Sequence, residues 1–318
     1  MRIVVSPGQG AQQPGLLLPW LEGDATRDLV AGWSEACGVD LVRHGSDSPA
    51  EAIADTALTQ PLLLAAALLS YRAALAVGAV PGAPALGAVA VAGHSVGEFA
   101  AAVIAGVLTE ADAFRAVGVR GRAMGRCAAA APTGLAAVVG GDPAEVLDAI
   151  GQVGASPANY NGPGQIVAGG PLAALEALAE RPPARARVIR LEVAGAFHTE
   201  YMAEAQVEVE AALASVAVRD AVVPLISNLD GRAVASGDDI VQRLVKQVTA
   251  PVRWDLVLET CAALAAEGDT GLEQLELAPA GVLTGLAKRG LKALAAQPGG
   301  LTLTGLKTPA DLAVSTPN

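Results

Sequence analysis

The chain has 318 residues, a formal net charge of −11, and a composition that is 52% hydrophobic but only 3% aromatic. An acidic chain of this kind is poorly suited to nucleic acid or to an anionic membrane surface, so we expect neither as its main partner. Its three cysteines are widely separated and lack the spacing of a disulfide framework or a zinc site. This favours a reducing compartment and predicts a cytoplasmic location.

Short β-rich runs alternate with helical stretches along the chain, which is typical of α/β proteins. The first predicted strand, residues 3–5, leads into a glycine loop at residues 7–10. The richest apolar run begins a buried helix predicted over residues 61–77, and the run itself is shorter than a membrane span. A strand over residues 88–92 then precedes predicted helices near 96–106 and 110–127.

The middle of the chain follows a different order, β-α-β-β-α-β, which is the ferredoxin-like signature. Its elements are predicted at residues 135–139, 143–150, 156–160, 165–168, 172–179 and 187–193. Residues 126–195 are therefore predicted to form a small inserted domain. Residues 1–125 and 196–318 would form a large α/β catalytic domain with a parallel sheet, similar to that of α/β-hydrolases.

After the predicted insertion the α/β pattern resumes. Helices are predicted at residues 199–214, 238–248, 252–266 and 281–295, and strands at residues 223–227 and 275–277. The polar tail, residues 308–318, contains two prolines and is predicted to be loose.

The pentapeptide at residues 93–97, Gly-His-Ser-Val-Gly, lies between a predicted strand and a predicted helix. This order predicts a nucleophile elbow, in which glycines permit a tight turn and the Oγ of Ser95 is exposed at a helix N-terminus. The helix dipole and free N–H groups can stabilise an oxyanion there. The alternative is a glycine-rich turn with an incidental serine.

A serine nucleophile needs a base, and the chain has three histidines. His94 adjoins Ser95 on a tight turn, where neighbouring side chains diverge, and His44 lies in what is predicted to be a polar loop, which is typical of a solvated residue. By elimination the expected pair is Ser95 with His198, which stands where a strand gives way to a helix. A helix-capping role is the alternative for His198. No carboxylate between the two is an obvious third member, so a dyad oriented by a backbone carbonyl remains open.

The hexapeptide at residues 93–98 resembles the active-site motif of malonyl-CoA:acyl carrier protein transacylases and of the acyltransferase domains of polyketide and fatty acid synthases. Further motifs similar to those of this family follow in order along nearly the whole chain. They are PGQGAQ at residues 7–12, TQP at 59–61, VRGRAM at 119–124, NYNGPGQ at 159–165, GAFH at 195–198, SNLD at 227–230 and VLTGL at 282–286. One departure is Ala278-Pro279-Ala280, where the family usually has Gly-Pro-Gly near the entrance of the site.

The resemblance implies catalytic roles for five residues. Ser95 would carry the acyl group, His198 would act as its base, and the backbone carbonyl of Gln247 would orient the histidine. The backbone N–H groups of Gln9 and Val96 would form the oxyanion hole.

The resemblance also implies a pocket for the acyl group. Arg120 would bind the malonyl carboxylate, for which a planar guanidinium is well suited. Gln60, Asn159 and Gln165 would line the same pocket, and Phe197 would disfavour an α-methyl branch. Without the resemblance, Arg120 is better explained as a solvated charge on a helix that also carries Arg115, Arg122 and Arg126.

The resemblance therefore implies an enzyme that moves a malonyl group from malonyl-CoA through Ser95 to the phosphopantetheine thiol of acyl carrier protein, in fatty acid or polyketide biosynthesis. The expected partners are acyl carrier protein and a coenzyme A thioester, with no metal or redox cofactor and a monomeric chain. The basic residues expected to attract the acidic carrier are Arg115, Arg122, Arg126, Lys288 and Arg289.

Two other functions are weighed against this prediction. A serine esterase or thioesterase would use the same elbow and base but pass the acyl group to water. Arg120 argues against it, because a generic esterase does not need to retain a carboxylated acyl group. A non-enzymatic carrier-binding subunit is the third interpretation, and the presence of nucleophile, base and oxyanion-loop residues argues against it.

Overall fold

The computed structural model describes residues 1–77, 87–267, 271–296 and 299–314. Its strands, in chain order, are β1 Arg2–Ser6, β2 Ala90–Gly93, β3 Thr133–Gly140, β4 Ser156–Tyr160, β5 Gln165–Pro171, β6 Ala186–Arg190, β7 Leu225–Ile226, β8 Ala233–Val234, β9 Val252–Arg253, β10 Leu272–Glu276 and β11 Leu301–Gly305. Its α-helices are α1 Asp24–Cys37, α2 Leu41–Ser46, α3 Ala50–Ile53, α4 Thr56–Ala76, α5 Gly97–Ile104, α6 Glu110–Ala130, α7 Pro143–Gln152, α8 Leu172–Glu180, α9 Ala203–Leu213, α10 Gly237–Lys246, α11 Trp254–Glu267 and α12 Val282–Gly290.

The larger sheet has six strands in the order β11-β10-β1-β2-β7-β8, and only the pair β7–β8 is antiparallel. Its central strand β1 is buried on both faces, which explains its continuous apolar sequence. Val4 packs into a core that includes α4, α5 and α6, whereas Ile3 and Val5 pack into a second core with α11 and α12. Helices therefore cover both faces of a mainly parallel sheet, as in other α/β proteins.

The smaller sheet has the order β6-β3-β5-β4-β9. Its first four strands are antiparallel neighbours, and α7 and α8 pack on it through a separate core. Asp142 caps α7, as its position before Pro143 predicts: its carboxylate accepts hydrogen bonds from the N–H groups of Ala144 and Glu145. The fifth strand, β9, pairs in parallel with β4 and comes from the region after the predicted insertion.

The predicted α/β fold with a parallel sheet is confirmed, and β3 to β6 with α7 and α8 follow the predicted β-α-β-β-α-β order. The division of the chain at residues 125 and 195 stays a prediction. Helix α4 begins at Thr56, before the predicted start at residue 61, because the side chain of Asp55 caps it by accepting from the N–H of Ala57.

Other elements differ from prediction or were not predicted. The helix predicted from residue 199 begins as a 3₁₀ turn over Glu200–Met202. In the polar tail, Pro309–Val314 forms a 3₁₀ helix, and residues 315–318 lie outside the described residues. Elements α1, α2, α3, β8, β9 and β11 were not predicted.

Helix α4 is long and apolar enough to cross a membrane by length and composition alone. However, 72% of its most apolar window is buried inside the protein. This burial is typical of the core helix of a globular protein.

Candidate active site

A cleft of about 530 Å³ lies at the carboxyl ends of β1 and β2 and extends to the smaller sheet. Loops that follow the carboxyl ends of parallel strands are the usual place for a site in an α/β sheet. Nine of the ten residues singled out in the sequence line this cleft: Gln9, Gln60, Ser95, Val96, Arg120, Asn159, Gln165, Phe197 and His198. The tenth, Gln247, lies behind it in contact with His198 and Arg120.

Ser95 occupies the sharp turn between β2 and α5. Its backbone has φ 54°, in the left-handed region that a non-glycine residue rarely adopts. The flanking glycines permit this turn. A Cβ on Gly93 would lie 2.1 Å from the N of Glu98, and a Cβ on Gly97 would lie 2.3 Å from the O of Ser6. The backbone strain is that of a nucleophile elbow, with the serine at the N-terminus of a helix.

His198 is the histidine that contacts the nucleophile. Its Nε2 lies 2.7 Å from the Oγ of Ser95, and its Nδ1 lies 2.7 Å from the backbone O of Gln247. Since a carbonyl only accepts, Nδ1 carries the proton and Nε2 is free to accept the serine proton. Burial, and then the nearby Arg120, lower the pKa of His198 to about 3, so the ring is neutral at physiological pH.

The other two histidines do not contact Ser95. His94 points its Nε2 at the Oδ1 of Asn161, 3.1 Å away, so its side chain diverges from the serine as expected. His44 is half-buried in α2 with its Nδ1 2.9 Å from the Oγ of Ser48. The loop expected around His44 was wrong, because the stretch forms the helix α2, in which His44 remains partly exposed.

Arg120 is a buried cation beside the nucleophile, with 1% of its surface exposed. Its Nη1 donates to the Oε1 of Gln60 at 2.7 Å, and its Nη2 donates to the Oγ of Ser95 at 3.2 Å. Its Nε has no hydrogen-bond partner among the described residues. Burial lowers the pKa of Arg120 to about 10, which still leaves it positively charged at neutral pH.

The remaining predicted residues surround this centre from several elements. Gln60 lies on α4 and is fully buried, and Asn159 lies on β4 with 6% of its surface exposed. Gln165 begins β5, and its Oε1 accepts a hydrogen bond from Arg289 at 3.3 Å. The ring of Phe197, next to the base, is 5% exposed and forms part of the cleft wall.

The departure at Ala278-Pro279-Ala280 lies between β10 and α12, outside the residues that line the cleft. The N–H of Ala278 donates to the Oγ of Ser70 at 3.0 Å. The next residue along the chain that lines the cleft is Val282, four residues after Ala278. Leu286 and Arg289 of α12 also line it. The three residues of this departure therefore do not themselves line the cleft.

Comparison with known proteins agrees with this arrangement. The acyl transferase domain family matches residues 4–305. The malonyl CoA-acyl carrier protein transacylase of Mycobacterium tuberculosis (strain H37Rv) is 46% identical over 312 residues, which cover 98% of each chain. The crystal structure of MCAT from Mycobacterium tuberculosis, 44% identical and covering 100% of both chains, superposes with a TM-score of 0.90.

A second solved structure extends the comparison to a complex. It is a malonyl-transacylase bound to its type II PKS acyl-carrier protein, 28% identical, covering 99% of this chain and 98% of that one with a TM-score of 0.86. The match covers nearly the whole chain, including the segments that carry Ser95 and His198. The chain therefore belongs to the acyl transferase domain family, and within it to the malonyl CoA-acyl carrier protein transacylases.

Proposed function

We propose that this protein transfers the malonyl group of malonyl-CoA to the phosphopantetheine thiol of acyl carrier protein through a malonyl ester on Ser95. The observation that carries the proposal is the buried guanidinium of Arg120 in hydrogen-bond contact with the nucleophile. The carboxylate of a malonyl thioester lies two bonds from the reacting carbonyl. A cation that touches the serine is therefore placed to bind that carboxylate during attack.

The first half-reaction forms the acyl-enzyme. Ser95 Oγ attacks the thioester carbonyl while its proton passes to Nε2 of His198. The tetrahedral oxyanion is held by the backbone N–H groups of Gln9, in the loop after β1, and of Val96, at the N-terminus of α5. When the intermediate collapses, the C–S bond breaks and the coenzyme A sulfur takes the proton from His198.

The second half-reaction repeats these steps in the opposite direction. The phosphopantetheine thiol gives its proton to Nε2 of His198 and attacks the ester of Ser95. Collapse breaks the C–O bond and returns the proton to the serine. The backbone carbonyl of Gln247 holds the imidazole in the productive tautomer throughout, so no carboxylate is required. The reaction balances with a thioester and a thiol, and needs no metal or redox group.

We infer that acyl carrier protein docks beside α12. Of the five basic residues proposed from sequence, Arg115 and Arg126 form ion pairs with Asp112 and Glu208, and Arg122 donates to a backbone oxygen. Lys288 and Arg289 are exposed on α12, and Arg289 lines the cleft.

We further infer a cytoplasmic location, since all three cysteines are free and buried.

The function is tested by incubating the protein with malonyl-CoA labelled in the malonyl group, with and without acyl carrier protein. We expect a stable labelled enzyme that passes its label to the carrier, and no label on Ser95→Ala. Release of free malonate without transfer would instead identify a hydrolase. Label on Ser95→Ala would overturn the assignment of the nucleophile.

A further inference from the structure

Glu98 is a fully buried carboxylate that the mechanism above does not use. It lies three residues after the nucleophile on α5, a helix whose other residues are glycine or apolar. Its Oε1 accepts a hydrogen bond from the backbone N–H of Asn228 at 2.9 Å, and its Oε2 accepts from Nε2 of Gln247 at 2.7 Å. A buried charge is costly unless it is fully hydrogen-bonded, so this one calls for a physical role.

The side chain of Gln247 joins Glu98 to the site. Its Nε2 donates to Glu98 and to the backbone O of Ser95, while its Oε1 accepts from Nη2 of Arg120 at 3.0 Å. The amide can contact Arg120 favourably in only one orientation, with its oxygen toward the guanidinium. The reverse orientation would direct an NH₂ group at a cation that only donates.

We propose that Glu98 is a positioning residue that fixes the amide orientation of Gln247, and through it anchors Arg120 for recognition of the acyl carboxylate. The Oε1 of Glu98 faces the Asn228 N–H and its Oε2 faces the Gln247 Nε2–H, with the side chains of Ser227 and Asn228 also beside the carboxylate, which can accept from all of these groups. A glutamine at position 98 would supply one acceptor and one donor. If its oxygen stays with Asn228, its NH₂ group faces that of Gln247, so Gln247 must reverse and present its own NH₂ group to Arg120.

Burial and charge support this role. Gln247 is fully buried and Arg120 is 1% exposed. Water therefore cannot replace a hydrogen bond that is lost between them. When ionised, Glu98 raises the pKa of Arg120 and so opposes the lowering that burial causes, but burial raises the pKa of Glu98 itself to about 7, so its ionised and protonated forms coexist near neutral pH. Glu98 therefore holds the guanidinium through the Gln247 amide and, when ionised, also through its charge.

The proposal rests on the proposed function, because it assumes that Arg120 binds the acyl carboxylate. The test compares transfer of malonyl and acetyl groups by wild type and Glu98→Gln, with kcat/KM measured for each acyl-CoA. We expect the malonyl-to-acetyl ratio to fall about tenfold, the effect of one hydrogen bond to a charged group. The loss should be in malonyl transfer, mainly through KM, because acetyl does not use the guanidinium.

Two further variants separate positioning from folding. Gln247→Ala removes the amide but keeps the backbone carbonyl that orients His198, and it should lower the same ratio. Adding Glu98→Gln to Gln247→Ala should then change the ratio little, since the two residues act through one contact. Glu276→Gln is the matched control: Glu276 is another fully buried carboxylate, and it accepts from two backbone N–H groups, those of Leu283 and Thr284. This control should lose stability and leave the ratio unchanged.

An unchanged ratio in Glu98→Gln, or equal loss of both activities in step with loss of folded protein, overturns the proposal. A ratio that rises also overturns it, because Glu98 would then only compete with the acyl carboxylate for Arg120. If Glu98→Gln does not fold, an unchanged ratio in Gln247→Ala alone is decisive against it. Failure of wild type to transfer malonyl at all would instead contradict the proposed function.

Discussion

At the scale of single residues, Arg120 is expected to determine which acyl group the site accepts. In Arg120→Ala we expect malonyl transfer to be lost while acetyl transfer is kept or increased. The reason is that a buried guanidinium left unpaired disfavours a neutral acyl group, whereas an acyl carboxylate gives it a partner. Steady-state transfer of both acyl groups to acyl carrier protein measures the change. Parallel loss of both activities would contradict the assigned role.

Phe197 is expected to control branching next to the thioester. Its ring forms part of the cleft wall beside His198, so an α-methyl group on the substrate would meet it. We expect Phe197→Ser to increase use of methylmalonyl-CoA relative to malonyl-CoA by tens of fold, since one methyl group is worth about 1–3 kcal/mol of discrimination. The measurement is competition between the two thioesters. Equal use of both by wild type would show that the ring does not exclude the branch.

At the scale of secondary structure elements, α12 is expected to guide the carrier to the cleft. The KM for acyl carrier protein should rise with ionic strength, because attraction between exposed charges is screened by salt. The double variant Lys288→Ala/Arg289→Ala should raise this KM at low salt and weaken its salt dependence. The matched control, Arg115→Ala, also removes an exposed arginine, but one that is paired with Asp112. A carrier KM independent of salt in wild type would argue against docking at α12.

In two helices, α6 and α5, the sequence pattern alone indicates which charged residues are buried in the site. Arg120 is five residues after Arg115 on α6, which places it about 140° around the helix, at about 100° per residue. It lies in the stripe formed by Ala113, Val117 and Met124, all buried. The sequence therefore contained a signal, a cation within an apolar stripe, that Arg120 is buried. Glu98 gave a similar signal as the only charge in α5.

Other features could not be derived from local sequence. Strand β9 has two residues, too few for any period of hydrophobicity, and it is a strand only because β4 pairs with it. The contact of Gln247 with Ser95 joins positions 152 residues apart. The resemblance indicated the backbone role of Gln247, but its side-chain contacts depend on tertiary structure. The roles of the individual site residues stay predictions that the variants above can test.

At the scale of the whole molecule, buried titratable groups make stability depend on pH in opposing directions. Burial lowers the pKa of His198 from 6.5 to about 3 and also lowers that of His94, so the unfolded chain binds protons that the folded protein does not. Their contributions to stability are lost as pH falls below 6.5. Burial raises the pKa of Glu98 from 4.5 to about 7, so its contribution is present below 4.5 and lost as pH rises towards 7.

Between pH 4.5 and 6.5, the change in the free energy of unfolding that Glu98 causes therefore partly cancels the change that the two histidines cause. We expect Glu98→Gln to lose stability on acidification more steeply than wild type, by about 1.4 kcal/mol per pH unit for one proton. Urea unfolding of both proteins at several pH values in this range measures the two slopes. A variant slope equal to or shallower than that of wild type would contradict the assigned pKa of Glu98.

The position of β1 at the centre of the larger sheet has a consequence for biosynthesis. Although β1 is made long before β10, one of its two edges pairs with that strand, about 270 residues later, through the register Arg2 with Glu273. At about 5–20 residues per second, that edge waits on the order of tens of seconds on the ribosome for its partner. An apolar strand with an open edge is a template for pairing with other chains, so during this interval the nascent protein is exposed to such pairing.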